Sequence, residues 1–144
     1  MNEQTLQPTA TGEESSSLSE VSPQACILLV EDDRSVRRYL EVTLQRSGYK
    51  VIAAADGLEA MKLAFANEID AVVTDAIMPH LSGEQLAGFL RNHPKLSQTP
   101  IILLTGQEHQ PSTLATDGAI SAFLYKPVKT EELTRCLAEQ LQRD

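Results

Sequence analysis

The chain predicts an α/β domain built on a parallel sheet with helices on both faces, and three observations carry that prediction. Five apolar runs of strand length alternate with segments of helical periodicity. The runs are apolar throughout and do not alternate with polar residues, as strands do when both faces of the sheet are covered. Polar residues recur where these runs end: Glu31-Asp32-Asp33 after CILLV, Asp75 after AVVT, Thr105 after IILL, and Lys126-Pro127 after AFLY.

In chain order, strands are expected over 26–31, 50–54, 71–74, 100–104 and 122–125. Between them Val36, Leu40 and Leu44 form a helical stripe, followed by Leu58, Met61 and Phe65, then Leu86, Phe89 and Leu90, and last Leu133, Leu137 and Leu141. The faintest helix is expected around 111–117, a short stretch poor in apolar residues. Asp56 with Glu59 and Ser82 with Gln85 have capping-box spacing, and Thr130 suits an N-cap. Gly48 and Gly118 suit the left-handed residue that closes a helix. Right-handed crossovers leave few topologies for such a chain.

At 144 residues there is room for one domain with a proper core. Residues 1–24, rich in Ser, Thr, Glu and Gln, lack the apolar groups needed to offset ordering entropy and are expected to be disordered. The folded domain is expected over 25–144. The net charge of -8 argues against unspecific binding to nucleic acid or anionic lipid. No apolar run approaches the roughly 18 residues of a membrane span, and no secretory signal opens the chain. Cys26 and Cys136 lie in apolar patterns without metal-ligand spacing, which points to free buried thiols in the reducing cytoplasm. His80, His93 and His109 also lack metal spacing and are expected to face solvent.

In a parallel α/β sheet, ligands bind beyond the carboxyl ends of the strands. The four polar stretches should therefore meet in one pocket. Singly, each has an ordinary explanation: a helix N-cap for the acidic cluster, a strand end for Asp75, a β-branched strand residue for Thr105, a solvated loop lysine for Lys126. Together they place three carboxylates, a hydroxyl and a lysine on one edge. Crowded carboxylates need a cation, and Mg²⁺ takes one or two of them with phosphate oxygen and water. A carboxylate can itself accept a phosphoryl group. Positioning and charge neutralisation are most of what such a transfer requires.

The motifs LLVEDD at 28–33, ADG with LEA at 55–60, TDAIMPHLSG at 74–83, ILLTG at 102–106 and GAISAFLYKPV at 118–128 follow one another in an order that resembles the receiver domain of two-component response regulators. The resemblance covers residues 26–142, most like the single-domain, chemotaxis-regulator form. It implies a flavodoxin-like (βα)5 sandwich with sheet order 2-1-3-4-5. It also implies Asp75 as phosphoacceptor, with Mg²⁺ held by Asp32, Asp75 and the Ile77 carbonyl, and by Glu31 through water. Thr105 would be the switch hydroxyl, Lys126 the phosphoryl partner before a cis proline, and Phe123 the switch aromatic. Phosphate on Asp75 would draw Thr105 inward and Phe123 into the vacated space, remodelling the face around the last strand. An aromatic between Ala122 and Leu124 also reads as an ordinary sheet residue.

The implied partners are a sensor histidine kinase or histidine phosphotransfer protein and a downstream protein target, with no nucleic acid contacted directly. A phosphorylation-dependent dimer is left open. The implied role is that of a phosphoacceptor with self-phosphorylation and autodephosphorylation only, not of an enzyme acting on other substrates. Arg37 and Arg38 lie near the face where the family meets its kinase, although a solvated helix surface is the better explanation of them. Ile77 and Gln107 hold positions that tune dephosphorylation in the family, and an apolar Ile77 predicts a long-lived phosphoryl group. Gly106 stands where Ala is commoner. The chain ends at Asp144, directly after the last helix, which suits either a stand-alone receiver or a piece of a larger protein; its start at Met1 tilts the expectation to the stand-alone form. A Mg²⁺-dependent aspartyl phosphohydrolase is disfavoured, because Ile77 stands where its second acid would be. A phosphorylation-independent interaction module is disfavoured because acceptor, acidic pair and lysine are all present.

Overall fold

The computed structural model describes residues 24–106 and 118–142. Residues 1–23 of the expected disordered leader, the faint helix around 111–117, Gln107 and His109 lie outside the described residues. Five strands form one parallel sheet: β1 (Cys26–Val30), β2 (Lys50–Ala54), β3 (Ala71–Asp75), β4 (Ile101–Thr105) and β5 (Ala122–Tyr125). Their order is β2-β1-β3-β4-β5, as expected. Four helices are described: α1 (Arg34–Arg46), α2 (Gly57–Ala66), α3 (Gly83–Arg91) and α4 (Thr130–Leu141), with a 3₁₀ turn at Pro94–Leu96.

Successive strand residues point to opposite faces, so each strand feeds two cores. Leu28, Val30, Val72, Ile101 and Leu103 join Ala60, Ala64, Leu86 and Leu90 of α2 and α3. Ile27, Leu29, Val73, Ile102 and Leu104 join Leu40, Leu44, Leu133 and Leu137 of α1 and α4. This two-faced burial is why the strands carry no polar alternation. Cys26 packs in the first layer and Cys136 against the second, so the sheet separates the two free thiols.

Several expected details are corrected. Leu58 and Phe65 of α2 are 62% and 40% exposed, and the helix buries Gly57, Ala60 and Ala64. Both stripes have helical spacing, and the small one lets α2 lie close to the sheet. Val36 and Phe89 likewise face outward while Leu40, Leu44, Leu86 and Leu90 are buried. β1 stops at Val30, whereas β3 and β4 include Asp75 and Thr105 as their last residues. Thr130 is the first residue of α4, and its N-cap is Lys129. His93 is half-buried, its ring stacked on Phe65 with centroids 4.6 Å apart.

The remaining helix starts follow the capping residues. Asp33 accepts from the Val36 N–H at 2.9 Å and Asp56 from the Glu59 N–H at 2.8 Å. Ser82 and Gln85 form a complete capping box, whereas Glu59 reaches past its cap to the Ala55 N–H at 2.7 Å. Gly48 and Gly118 hold φ of +99° and +92°, conformations that a side chain would strain.

Candidate functional site

Sheet order reverses between β1 and β3, and the crevice above that reversal is where strand ends can converge. The register brings them level, with Val30 beside Thr74, Asp75 beside Leu104 and Thr105 beside Tyr125. Glu31, Asp32, Asp75 and Lys126 consequently meet. One carboxylate oxygen from each of Glu31, Asp32 and Asp75 lies within 4.8 Å of the other two. Lys126 Nζ lies 2.6 Å from Asp75 Oδ1 and 3.9 Å from Glu31 Oε1.

Asp75 is held from several directions. The Ala76 N–H donates to the Leu104 carbonyl at 2.8 Å, and the Gly83 N–H to the Ala76 carbonyl at 2.9 Å. The buried Thr74 hydroxyl donates to the Asp75 carbonyl at 3.0 Å. Gly83 brings the start of α3 against the same carbonyl: a Cβ there would sit 2.3 Å from the Asp75 oxygen. Sequence reasoning gave Gly83 no part in the site, although it closes the TDAIMPHLSG motif. A glycine at the first position of a helix, where a side chain costs little locally, was the available signal.

Glu31 is 2% exposed. Its Oε2 accepts from the Asp33 N–H at 3.0 Å, while Oε1 has no hydrogen-bond partner. Burial pushes its carboxyl up to about 7; the Asp33 N–H and Lys126 oppose that shift, and Asp75 and Asp32 add to it. Asp32 is exposed. A buried carboxylate oxygen without a hydrogen bond, beside two further carboxylates, is the donor set of a hard divalent cation, so the residues present fit Mg²⁺.

Lys126 is anchored through its N–H to the Thr105 carbonyl at 2.8 Å, and the Lys126–Pro127 bond is cis. Thr105 is fully buried, and its hydroxyl donates to the Gly106 carbonyl at 3.3 Å. Phe123 is half-buried beside Leu103 in the core layer of α2 and α3. Ile77 is 61% exposed. A groove of about 250 Å³ adjoins the carboxylates, bounded by Val36, Tyr39 and Leu40 of α1 and by Lys126, Pro127 and Val128.

The response regulator receiver domain model matches residues 27–138. The chain belongs to the response regulator receiver domain family. It is 38% identical over 118 residues to the response regulator MprA of Mycobacterium sp. strain KMS, covering 81% of this chain and 50% of that protein. The chain thus spans about half the length of the curated relatives it matches. Among solved structures, it is similar to the chemotaxis protein CheY4 of Vibrio cholerae (TM-score 0.77, 31% identity, 83% of this chain and 100% of that one). The receiver domain of sensor histidine kinase PA1611 from Pseudomonas aeruginosa PAO1, with magnesium in its active site cleft, gives a TM-score of 0.75 at 30% identity, over 84% of this chain and all (100%) of that one.

The chain is therefore a receiver domain of two-component systems, and the Glu31–Asp32–Asp75 cluster fits the family's phosphoacceptor and magnesium site. Among the described residues, no helix is long and apolar enough to cross a membrane.

Proposed function

We propose that Asp75 is the phosphoacceptor of a phosphorelay. The observation that supports this best is the lysine ammonium 2.6 Å from a carboxylate at the edge of a three-carboxylate cluster. An Asp75 carboxylate oxygen attacks phosphorus, the bond to the donor's imidazole nitrogen breaks, and the donor leaves as neutral histidine once protonated. The donor is a sensor histidine kinase or a histidine phosphotransfer protein. Lys126 neutralises the phosphoryl oxygens, and Thr105 donates to them once its hydroxyl turns from Gly106. Asp32, Asp75, the Ile77 carbonyl and, less directly, Glu31 would hold Mg²⁺, which would supply charge neutralisation when bound.

Inward movement of Thr105 leaves space for Phe123 and alters the face beside β5, where a downstream protein binds or a second copy docks. The folded unit is assigned to residues 25–144, with the Ser- and Glu-rich leader outside it and the cytoplasm as its compartment. Its chemistry is self-phosphorylation and autodephosphorylation.

Intact mass after incubation with Mg²⁺ and a small acyl phosphate, and separately with a phosphorylated histidine donor, tests this reading. One added phosphoryl group, absent with EDTA and in Asp75→Asn, is expected. No added mass with either donor would overturn it.

A further inference from the structure

The turn after β1 must hold two like-charged side chains next to each other, and several hydrogen bonds secure its main chain. Asp33 caps α1 through the Val36 N–H, and the Asp33 N–H donates to Glu31 Oε2. A further contact comes from Arg37, one turn into α1. Its Nη1 donates to the backbone carbonyl of Glu31 at 2.8 Å and lies 3.5 Å from that of Asp32. The Arg37 backbone N–H meanwhile donates to the Asp33 carbonyl at 2.8 Å. One residue therefore grips the acidic turn at both ends.

What Arg37 leaves alone matters as much. Three carboxylates lie nearby, yet among the described residues its side-chain partners are carbonyl oxygens. Arg37 therefore adds no ion pair to those that Lys126 already makes with Asp75 and Glu31. Arg38 behaves differently: it is exposed on the same helix and, among the described residues, pairs with the Glu41 carboxylate at 3.7 Å.

We infer that Arg37 is a positioning residue for the cation site: its guanidinium fixes the carbonyls of Glu31 and Asp32, so that their carboxylates converge on Asp75. This rests on the Mg²⁺-binding reading above. The sign of the effect separates positioning from plain electrostatics. A cation beside a divalent-ion site repels that ion, so removing its charge alone would tighten Mg²⁺ binding. Loss of positioning weakens it, as loss of groups that orient metal ligands generally does.

Calorimetric titration of the full-length protein with Mg²⁺ tests the inference, using wild type, Arg37→Gln, Arg37→Lys, Arg38→Gln and Asp32→Asn. Arg37→Gln is expected to raise the Mg²⁺ Kd about tenfold, the lower end for lost orienting contacts. Arg37→Lys, which keeps the charge and one donor, should fall between that and wild type. Arg38→Gln should stay within about twofold of wild type, as an exposed charge does. Melting in EDTA should give Arg37→Gln and wild type the same Tm, which marks the change as one of metal geometry and not of general stability. Binding by Arg37→Gln equal to or tighter than wild type overturns the inference, as does weaker binding with an equal loss of Tm in EDTA. Should Arg37→Gln fail to fold, Arg37→Lys decides: weaker binding at unchanged EDTA Tm supports the inference and equal binding overturns it. A wild type that binds Mg²⁺ no better than Asp32→Asn would instead remove the underlying reading of the site.

Discussion

Lys126 Nζ stands 2.6 Å from Asp75 Oδ1 and 3.9 Å from Glu31 Oε1, although 51 residues separate it from the nearer carboxylate in sequence. The ammonium is shared by the Asp75 carboxylate and a buried Glu31 oxygen that has no hydrogen bond of its own. Part of the negative charge that would hold a divalent cation is thereby already neutralised by the protein.

A cation bound there, as proposed above, would compete with the lysine for the same carboxylates. Lys126→Met should bind Mg²⁺ about fivefold more tightly, the equivalent of roughly 1 kcal/mol for a partly exposed cation. The same variant should accept phosphoryl groups more slowly, having lost the charge that meets the phosphoryl oxygens. Calorimetry and rates with an acyl phosphate check the two halves separately.

Gly83 has no room for a side chain. A Cβ would lie 2.3 Å from the Asp75 carbonyl oxygen and 2.7 Å from Leu103 Cδ1, and the backbone atom cannot swing aside. Gly83→Ala should destabilise the fold by about 2–3 kcal/mol, the upper range of overpacking, and displace Asp75. Denaturant unfolding and phosphoryl uptake should fall together. Stability at the wild-type level would contradict this account.

The raised carboxyl of Glu31 makes stability depend on pH. Folding keeps its proton up to about pH 7, while the unfolded chain releases it near 4.5, so between these values the native state binds more protons. Stability without metal should therefore fall as pH rises through that window, by an amount on the order of 3 kcal/mol. Melts in EDTA should show the slope in wild type and lose it in Glu31→Gln. Mg²⁺ requires the ionised form, so its affinity should climb over the same window.

Ile77, two residues beyond Asp75, presents an exposed apolar side chain; if Asp75 is the acceptor proposed above, a water attacking its phosphoryl group would need orienting there. Ile77→Asn should speed loss of the phosphoryl group by roughly tenfold, the order expected when a water is held for in-line attack. Decay of the phosphorylated mass over time measures it. An unchanged rate would remove Ile77 as the cause of a long lifetime.

Much of the molecule was legible in the residues themselves. Uniformly apolar runs announced strands covered on both faces, and Asp33, Asp56 and Ser82 marked three helix starts that the structure keeps. The convergence of Glu31, Asp32, Asp75 and Lys126 followed from one rule of parallel sheets, that strand carboxyl ends share an edge. These features are local or follow from periodicity, and a linear pattern carries both.

Packing distances belong to another class. Periodicity offered α2 two stripes, and only contact with the sheet chose Ala60 and Ala64 over Leu58 and Phe65, because the smaller side chains allow a closer approach. Thr130 has the side chain of a cap, but the chain enters α4 one residue earlier. The closeness of Gly83 to the Asp75 carbonyl and the burial that leaves Glu31 Oε1 without a hydrogen bond depend on where separate elements come to rest. The sequence by itself determined the fold class and the residues that would meet. Tertiary structure alone decided how closely they meet and which of them lose water, because burial and atomic distance are set by all the elements packing together.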